Sequence, residues 1–152
     1  MSEKSIVHYA AKYAVDAMII IGAVCLAMVP YTEKIIAMLG YTFPDKSIAL
    51  KFMAVLFLSG LCAEYILLNL RRMYKTLLGN NPFTAENAES LKKCAVSCVL
   101  IAVLYAIKLT FMCTPATVVI IVIFGVGALF CLTLKDIFKQ ASEIKEENEL
   151  TI

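Results

Sequence analysis

The chain has 152 residues; 61% are hydrophobic, 17% are charged, and the formal net charge is +2. Soluble domains run at about 45–50% apolar and about 25% charged, so this composition excludes a water-soluble globule and a disordered chain. A charge of +2 also supplies no field to steer the chain toward a nucleic acid, and direct nucleic-acid binding is not expected. What remains is one small domain whose main partner is the lipid bilayer, with a mean hydropathy of +0.83.

Crossing about 30 Å of hydrocarbon takes roughly 20 apolar residues in a helix. Four stretches meet or approach this length: 13–29, ending at Pro30; 48–70, ending at Arg71-Arg72; 95–113; and 116–134, ending at Lys135-Asp136. Each is read as a helix, because lipid offers no partner to an unpaired backbone group and the runs lack the alternation of a barrel strand. The expected fold class is all-α: a four-transmembrane-helix bundle with helical extensions outside the membrane. Only Thr114-Pro115 and their neighbours separate the third and fourth spans, which form a tight antiparallel hairpin.

The first span is read as retained. Asp16 interrupts the apolar run that a cleaved leader would need, and Val24 in Gly22-Ala23-Val24-Cys25 stands where a lipoprotein box has a small residue. Ten Lys and Arg fall on the side that holds the N-terminus, the 71–94 loop and the 135–152 tail, against three on the other. The excess predicts that both termini are cytoplasmic, in a multi-pass protein of the cell membrane.

The outer face is slight: a loop over 30–47 and the 114–115 turn. The inner face carries more. The second helix is expected to continue from Arg71 to Leu78, where Gly79-Asn80-Asn81-Pro82 breaks it. A new helix starts near Thr84, the N-cap by residue type, with Glu86 in the positive first turn and Asn87 completing an imperfect capping box. After the fourth span, Leu134, Ile137, Phe138, Ala141 and Ile144 recur at helical spacing among Lys135, Lys139, Ser142 and Glu143. This stripe either packs on the 71–94 hairpin or docks a cytoplasmic partner. The last seven residues, Glu146 to Ile152, are acidic and then strand-like. They fray or add to a partner as an edge strand.

Three ionisable residues lie in or near the spans: Asp16, Glu64 and Lys108. A charge at mid-span costs roughly 2.5–3.5 kcal/mol on insertion scales, which makes each a functional candidate. Glu64 lies deepest, about six residues from the inner end of its helix. Lys108 lies about five residues from the outer end of its own, and a depth difference of roughly 15 Å argues against an ion pair between them. Lys108 is expected to snorkel outward. Glu64 is expected to be protonated or to bond Tyr, Ser or Thr on a neighbouring helix.

No catalytic constellation forms. His8 is the single histidine and reads as a surface residue. Among the six cysteines, Cys94 and Cys98 share a helix face without the further ligands a metal needs, so no metal, cofactor or disulfide framework is expected. Small residues four apart at Ala23/Ala27, Ser59/Ala63 and Gly127/Cys131 suit close helix packing within the bundle or a homodimer face.

The run Asn81-Pro82-Phe83-Thr84-Ala85-Glu86-Asn87 and the ending Ile144-Lys145-Glu146-Glu147-Asn148-Glu149-Leu150-Thr151-Ile152 resemble an uncharacterised family of small four-span bacterial membrane proteins, a domain of unknown function. Span count and loop lengths extend the resemblance over nearly the whole chain; Asn148 departs from the Gln or Asp more usual there. Members are often encoded beside a Cro/CI-type helix-turn-helix regulator, and the resemblance therefore implies a membrane partner for a transcription factor, with no enzyme activity to carry over. Its contact residues would be Asn81, Pro82, Phe83, Thr84, Glu86 and Asn87 in the loop and Ile137, Phe138, Ile144, Leu150 and Ile152 in the tail. The alternative is a small transporter, or an immunity protein against a membrane-active peptide, with Glu64 as its intramembrane residue.

Overall fold

The computed structural model describes residues 3–78 and 84–150, with side chains for 9–76 and for most of 84–148. Those residues form helices α1 (Glu3–Met28), α2 (Thr32–Met38), α3 (Lys46–Leu78), α4 (Ala85–Leu109) and α5 (Pro115–Leu150), with a 3₁₀ turn at Val29–Tyr31 joining α1 to α2. Four helical segments are long and apolar enough to cross a membrane: Tyr9–Met38, Lys46–Thr76, Ala85–Leu109 and Pro115–Lys145. The protein is an all-α, multi-pass membrane protein, and no strand occurs among the described residues.

The helical path does not stop at Pro30. Proline costs a helix one N–H and crowds the preceding turn, and the chain absorbs this by tightening into 3₁₀ geometry for one turn. Thr32 steadies the junction by donating its hydroxyl to the Val29 carbonyl at 2.6 Å. The helix ends instead at Gly40, whose φ of +82° is left-handed. The Tyr41 N–H returns to the Ile36 carbonyl at 3.2 Å and the Gly40 N–H to the Ala37 carbonyl at 3.1 Å. This is a Schellman-type stop. The connection to α3 is therefore residues 39–45, shorter than the expected 30–47.

The other elements follow their sequence signals more closely. Helix α3 runs through Arg71-Arg72 to Leu78. Thr84 is extended (φ −124°, ψ 149°), and its hydroxyl accepts the Asn87 N–H at 3.2 Å. It is the expected N-cap of α4. Helix α4 ends at Leu109, earlier than the expected 113, where the Thr110 and Phe111 N–H groups bond three residues back, to the Ile107 and Lys108 carbonyls, and tighten the last turn. The tail is a continuation of α5 to Leu150 and not strand-like. Lys139 and Glu143, four apart, pair along this helix at 3.7 Å. Such pairs support helical over extended backbone.

Extensive packing joins successive long helices: α1 to α3, α3 to α4 and α4 to α5. The result is a row in which α4 is covered on both sides. Asn87, Leu91, Cys94, Cys98, Ile101 and Lys108 are buried along α4 at helical spacing. Ala88, Ser90, Ala95 and Ser97 beside them are small enough to let α3 and α5 approach. By contrast α1 buries Val15 and leaves Met18, Ile20, Ile21 and Val24 exposed, as lipid-facing positions are.

Candidate functional site

The row has two ends: a termini end, which carries the N-terminus and the tail, and a hairpin end opposite, where the turn between α4 and α5 lies. Antiparallel neighbours bring Asp16 of α1 beside Arg71 of α3 at the termini end. Arg71 Nε lies 2.7 Å from Asp16 Oδ1, with both side chains partly exposed. Asp16, singled out as an intramembrane charge, is thus neutralised by a residue that read only as the end of a span.

Nearer mid-span, Glu64 of α3 faces Gly22 of α1. A Cβ placed on Gly22 would collide with the Glu64 carboxyl, whose Cδ lies 3.0 Å from that position. The carboxyl is therefore seated in space that only glycine leaves open. Neither a Tyr, Ser or Thr of a neighbouring helix nor any other group bonds Glu64 Oε1, a buried atom without a hydrogen-bond partner. The expected hydroxyl partner is absent because the adjoining wall is glycine and aliphatic. Toward the hairpin end, α1 and α3, with the start of α2, enclose a groove of about 430 Å³ lined by Gly22, Leu26, Thr32, Leu56, Gly60 and Glu64, among others. Leu26 and Gly60 set its width, since a Cβ on Gly60 would come within 2.6 Å of Leu26 Cδ2.

Lys108 does not snorkel. It is 7% exposed. Its Nζ donates to Thr117 Oγ1 of α5 at 2.9 Å and lies 5.1 Å from the Phe52 ring of α3 and 5.7 Å from the Tyr105 ring. Thr114 Oγ1 and Thr117 Oγ1 share a further bond at 2.7 Å. Aromatic faces, hydroxyls and the negative C-terminal end of α4 compensate the ammonium in place, so reaching outward brings it nothing. Glu64 and Lys108 do not meet, as the depth argument expected.

At the termini end, the structure divides the loop and tail residues. Asn87 is 3% exposed, which removes it from any docking surface. Its Oδ1 accepts from Thr76 Oγ1 at 2.9 Å and ties α4 to α3. Thr84 is engaged in the cap, while Glu86 is exposed. In α5, Phe138 is half-buried and Ile137 and Ile144 are exposed at 51% and 60%. Asn81, Pro82, Phe83 and Ile152 lie outside the described residues, as do the side chains of His8 and Leu150.

Sequence reasoning missed Gly22, Arg71, Thr117 and Asn69. Asn69 is fully buried in α3 and donates Nδ2 to the Tyr65 carbonyl one turn back at 2.8 Å. Its signal was an amide inside an apolar run; the others gave none, because their roles depend on which helix faces which.

A family model described as protein of unknown function (DUF2975) matches residues 8–152. The chain belongs to this family. No curated protein and no solved structure matches it. The structure of this DUF2975 member places a carboxyl without a partner among the described residues, a charge-compensated lysine and a helical tail in one frame. Among the described residues, no three or more His, Cys, Asp or Glu gather in a metal-holding group.

Proposed function

We propose that this DUF2975 protein is a non-enzymatic protein of the bacterial cytoplasmic membrane whose cytoplasmic end binds and sequesters a small helix-turn-helix transcription regulator. The observation that carries the reading is the tail. In the register set by Lys108 and Thr117, the start of α4 at Ala85 stands beside residue 140 or so of α5. About ten residues of α5, roughly 15 Å of helix, extend beyond it. Ile137 and Ile144 are exposed along α5 between charged neighbours. They present an apolar stripe of the kind that seats in a partner's groove. The excess of Lys and Arg on this side supports its placement in the cytoplasm. Sequestration needs differential affinity: moving a regulator from mostly bound to mostly free takes several kcal/mol between two states.

The test is affinity capture of tagged protein from native membranes in mild detergent, with mass spectrometry. A stoichiometric helix-turn-helix protein is expected, lost from an Ile137→Asp/Ile144→Asp variant of normal abundance. A preparation free of such a protein, or capture unchanged in the variant, removes the reading.

A second reading, a small transporter or an immunity protein against a membrane-active peptide, is favoured by Glu64, a carboxylate with an oxygen buried without a partner. A Glu64→Gln variant that keeps full transport or protection takes Glu64 out of that mechanism.

A further inference from the structure

We infer that the groove between α1 and α3 is a binding site for a lipophilic organic monocation, a hydrophobic amine or onium ion, with the Glu64 carboxylate as its counter-ion. The inference deepens the second reading above by naming the ligand class, and it is independent of the regulator reading.

Three observations converge on this ligand. The first is charge. Glu64 has no ion-pair partner among the described residues, whereas Asp16, the other carboxylate in the α1–α3 contact, is held by Arg71 at 2.7 Å. A carboxyl carried into a span without a partner is a functional candidate, and a monocation seated beside it would be its counter-ion in the ionised form. The second is shape. Gly22 and Gly60 let Glu64 and Leu26 seat against the opposite helix, and the groove beside these contacts amounts to about 430 Å³. That volume is within the range of small-molecule sites. The third is the chemistry of the walls. Leu26, Leu56 and Leu67 are aliphatic, and Thr32 is the one hydroxyl in the lining; it is already committed to the Val29 carbonyl. A hard metal cation requires about six or more oxygen ligands and finds a single carboxylate here. An anionic lipid headgroup meets the wrong charge, and a zwitterionic one would bring its phosphate beside the carboxylate and the aliphatic walls. A weakly hydrated cation with an apolar body matches both the carboxylate and the aliphatic walls, and it reaches the groove from the bilayer, where such ions partition.

The experiment uses the full chain in lipid nanodiscs and equilibrium binding of radiolabelled tetraphenylphosphonium, with empty nanodiscs subtracted. Saturable binding at one site per chain is expected. Glu64→Gln weakens it at least tenfold, while Glu64→Asp, which keeps the charge, retains most of it. Gly22→Leu, which fills the space the carboxyl and ligand share, weakens it comparably with Glu64 intact. Tetraphenylborate, an anion of the same size and shape measured separately, shows no saturable binding. Helicity and elution volume of each variant verify folding, and the Asp and Leu variants keep the question decidable should Glu64→Gln fail to fold. Absence of saturable binding, affinity within twofold in Glu64→Gln, or equal binding of tetraphenylborate overturns the assignment. Binding is read without a transport step, so a protein that binds the cation but does not move it sustains the site and removes the transporter reading.

Discussion

Arg71 Nε meets Asp16 Oδ1 at 2.7 Å, and this ion pair fastens α1, the least covered helix of the row, to α3 near the termini end. Its two sequence positions are far apart and belong to different spans. An ion pair between partly exposed groups is worth about 0.2–1 kcal/mol in water. Replacing Asp16 by Asn should lower the thermal unfolding temperature in detergent by a few degrees, and the swap of Asp16→Arg with Arg71→Asp should recover part of the loss. Equal stabilities for wild type, single variant and swap would show that the pair contributes nothing.

Thr117 and Lys108 make an asymmetric pair for mutation. Thr117→Val leaves a buried ammonium without its hydrogen bond and should cost roughly 1–3 kcal/mol. Lys108→Met removes the charge while keeping the length, and should be neutral or stabilising, as replacing a buried polar partnership by an apolar side chain of similar shape often is. Chemical or thermal unfolding of both variants checks this, and a destabilisation by Lys108→Met equal to that by Thr117→Val would contradict it.

Gly22 and Glu64 should be energetically coupled. Gly22→Val forces the carboxyl from its seat and, as overpacking, should cost about 1–3 kcal/mol. In Glu64→Ala the same valine meets open space, and the cost should fall below half. The coupling is read from a double-mutant cycle; additive effects would mean that the two side-chain positions do not compete for one volume.

Cys113 reports topology without an engineered label. It is exposed in the turn between α4 and α5, outside the helices, whereas the five other cysteines sit within them. With both termini cytoplasmic, a membrane-impermeant maleimide should modify one thiol per chain in intact cells, and Cys113→Ser should abolish the signal. Protection of Cys113 in intact cells with labelling in inverted vesicles would reverse the orientation.

Truncation after residue 140 removes the part of α5 that extends past α4. Surface segments of this kind carry little of the folding energy, so the unfolding temperature should change by the equivalent of about 0.5 kcal/mol or less, while regulator capture is lost. A large drop in stability would instead assign the tail a structural role.

The number of spans, the Thr84 cap and the helical continuation after the fourth span were legible because each rests on a local rule: hydrocarbon thickness, capping and period. The helical turns past Pro30 were missed for an equally local reason. Pro30 looked like a stop, but proline removes one hydrogen bond, which a 3₁₀ turn absorbs, whereas Gly40 supplies the left-handed residue that a helix terminus needs. The ionisable residues were found by their cost in lipid, since an isolated charge in an apolar run stands out by composition alone. Their different fates were set by what lies across the helix interface. Asp16 faces an arginine, Lys108 faces a ring and a threonine of two other helices, and Glu64 faces a glycine. Facing is a property of helix order and rotation, and residues such as Gly22 and Glu64, on different spans, carry no sequence signal that joins them. The sequence by itself determined a four-span helical membrane protein with polar mass at one end. Only the tertiary structure decided which charges were compensated, because compensation depends on a few ångströms between side chains of different helices.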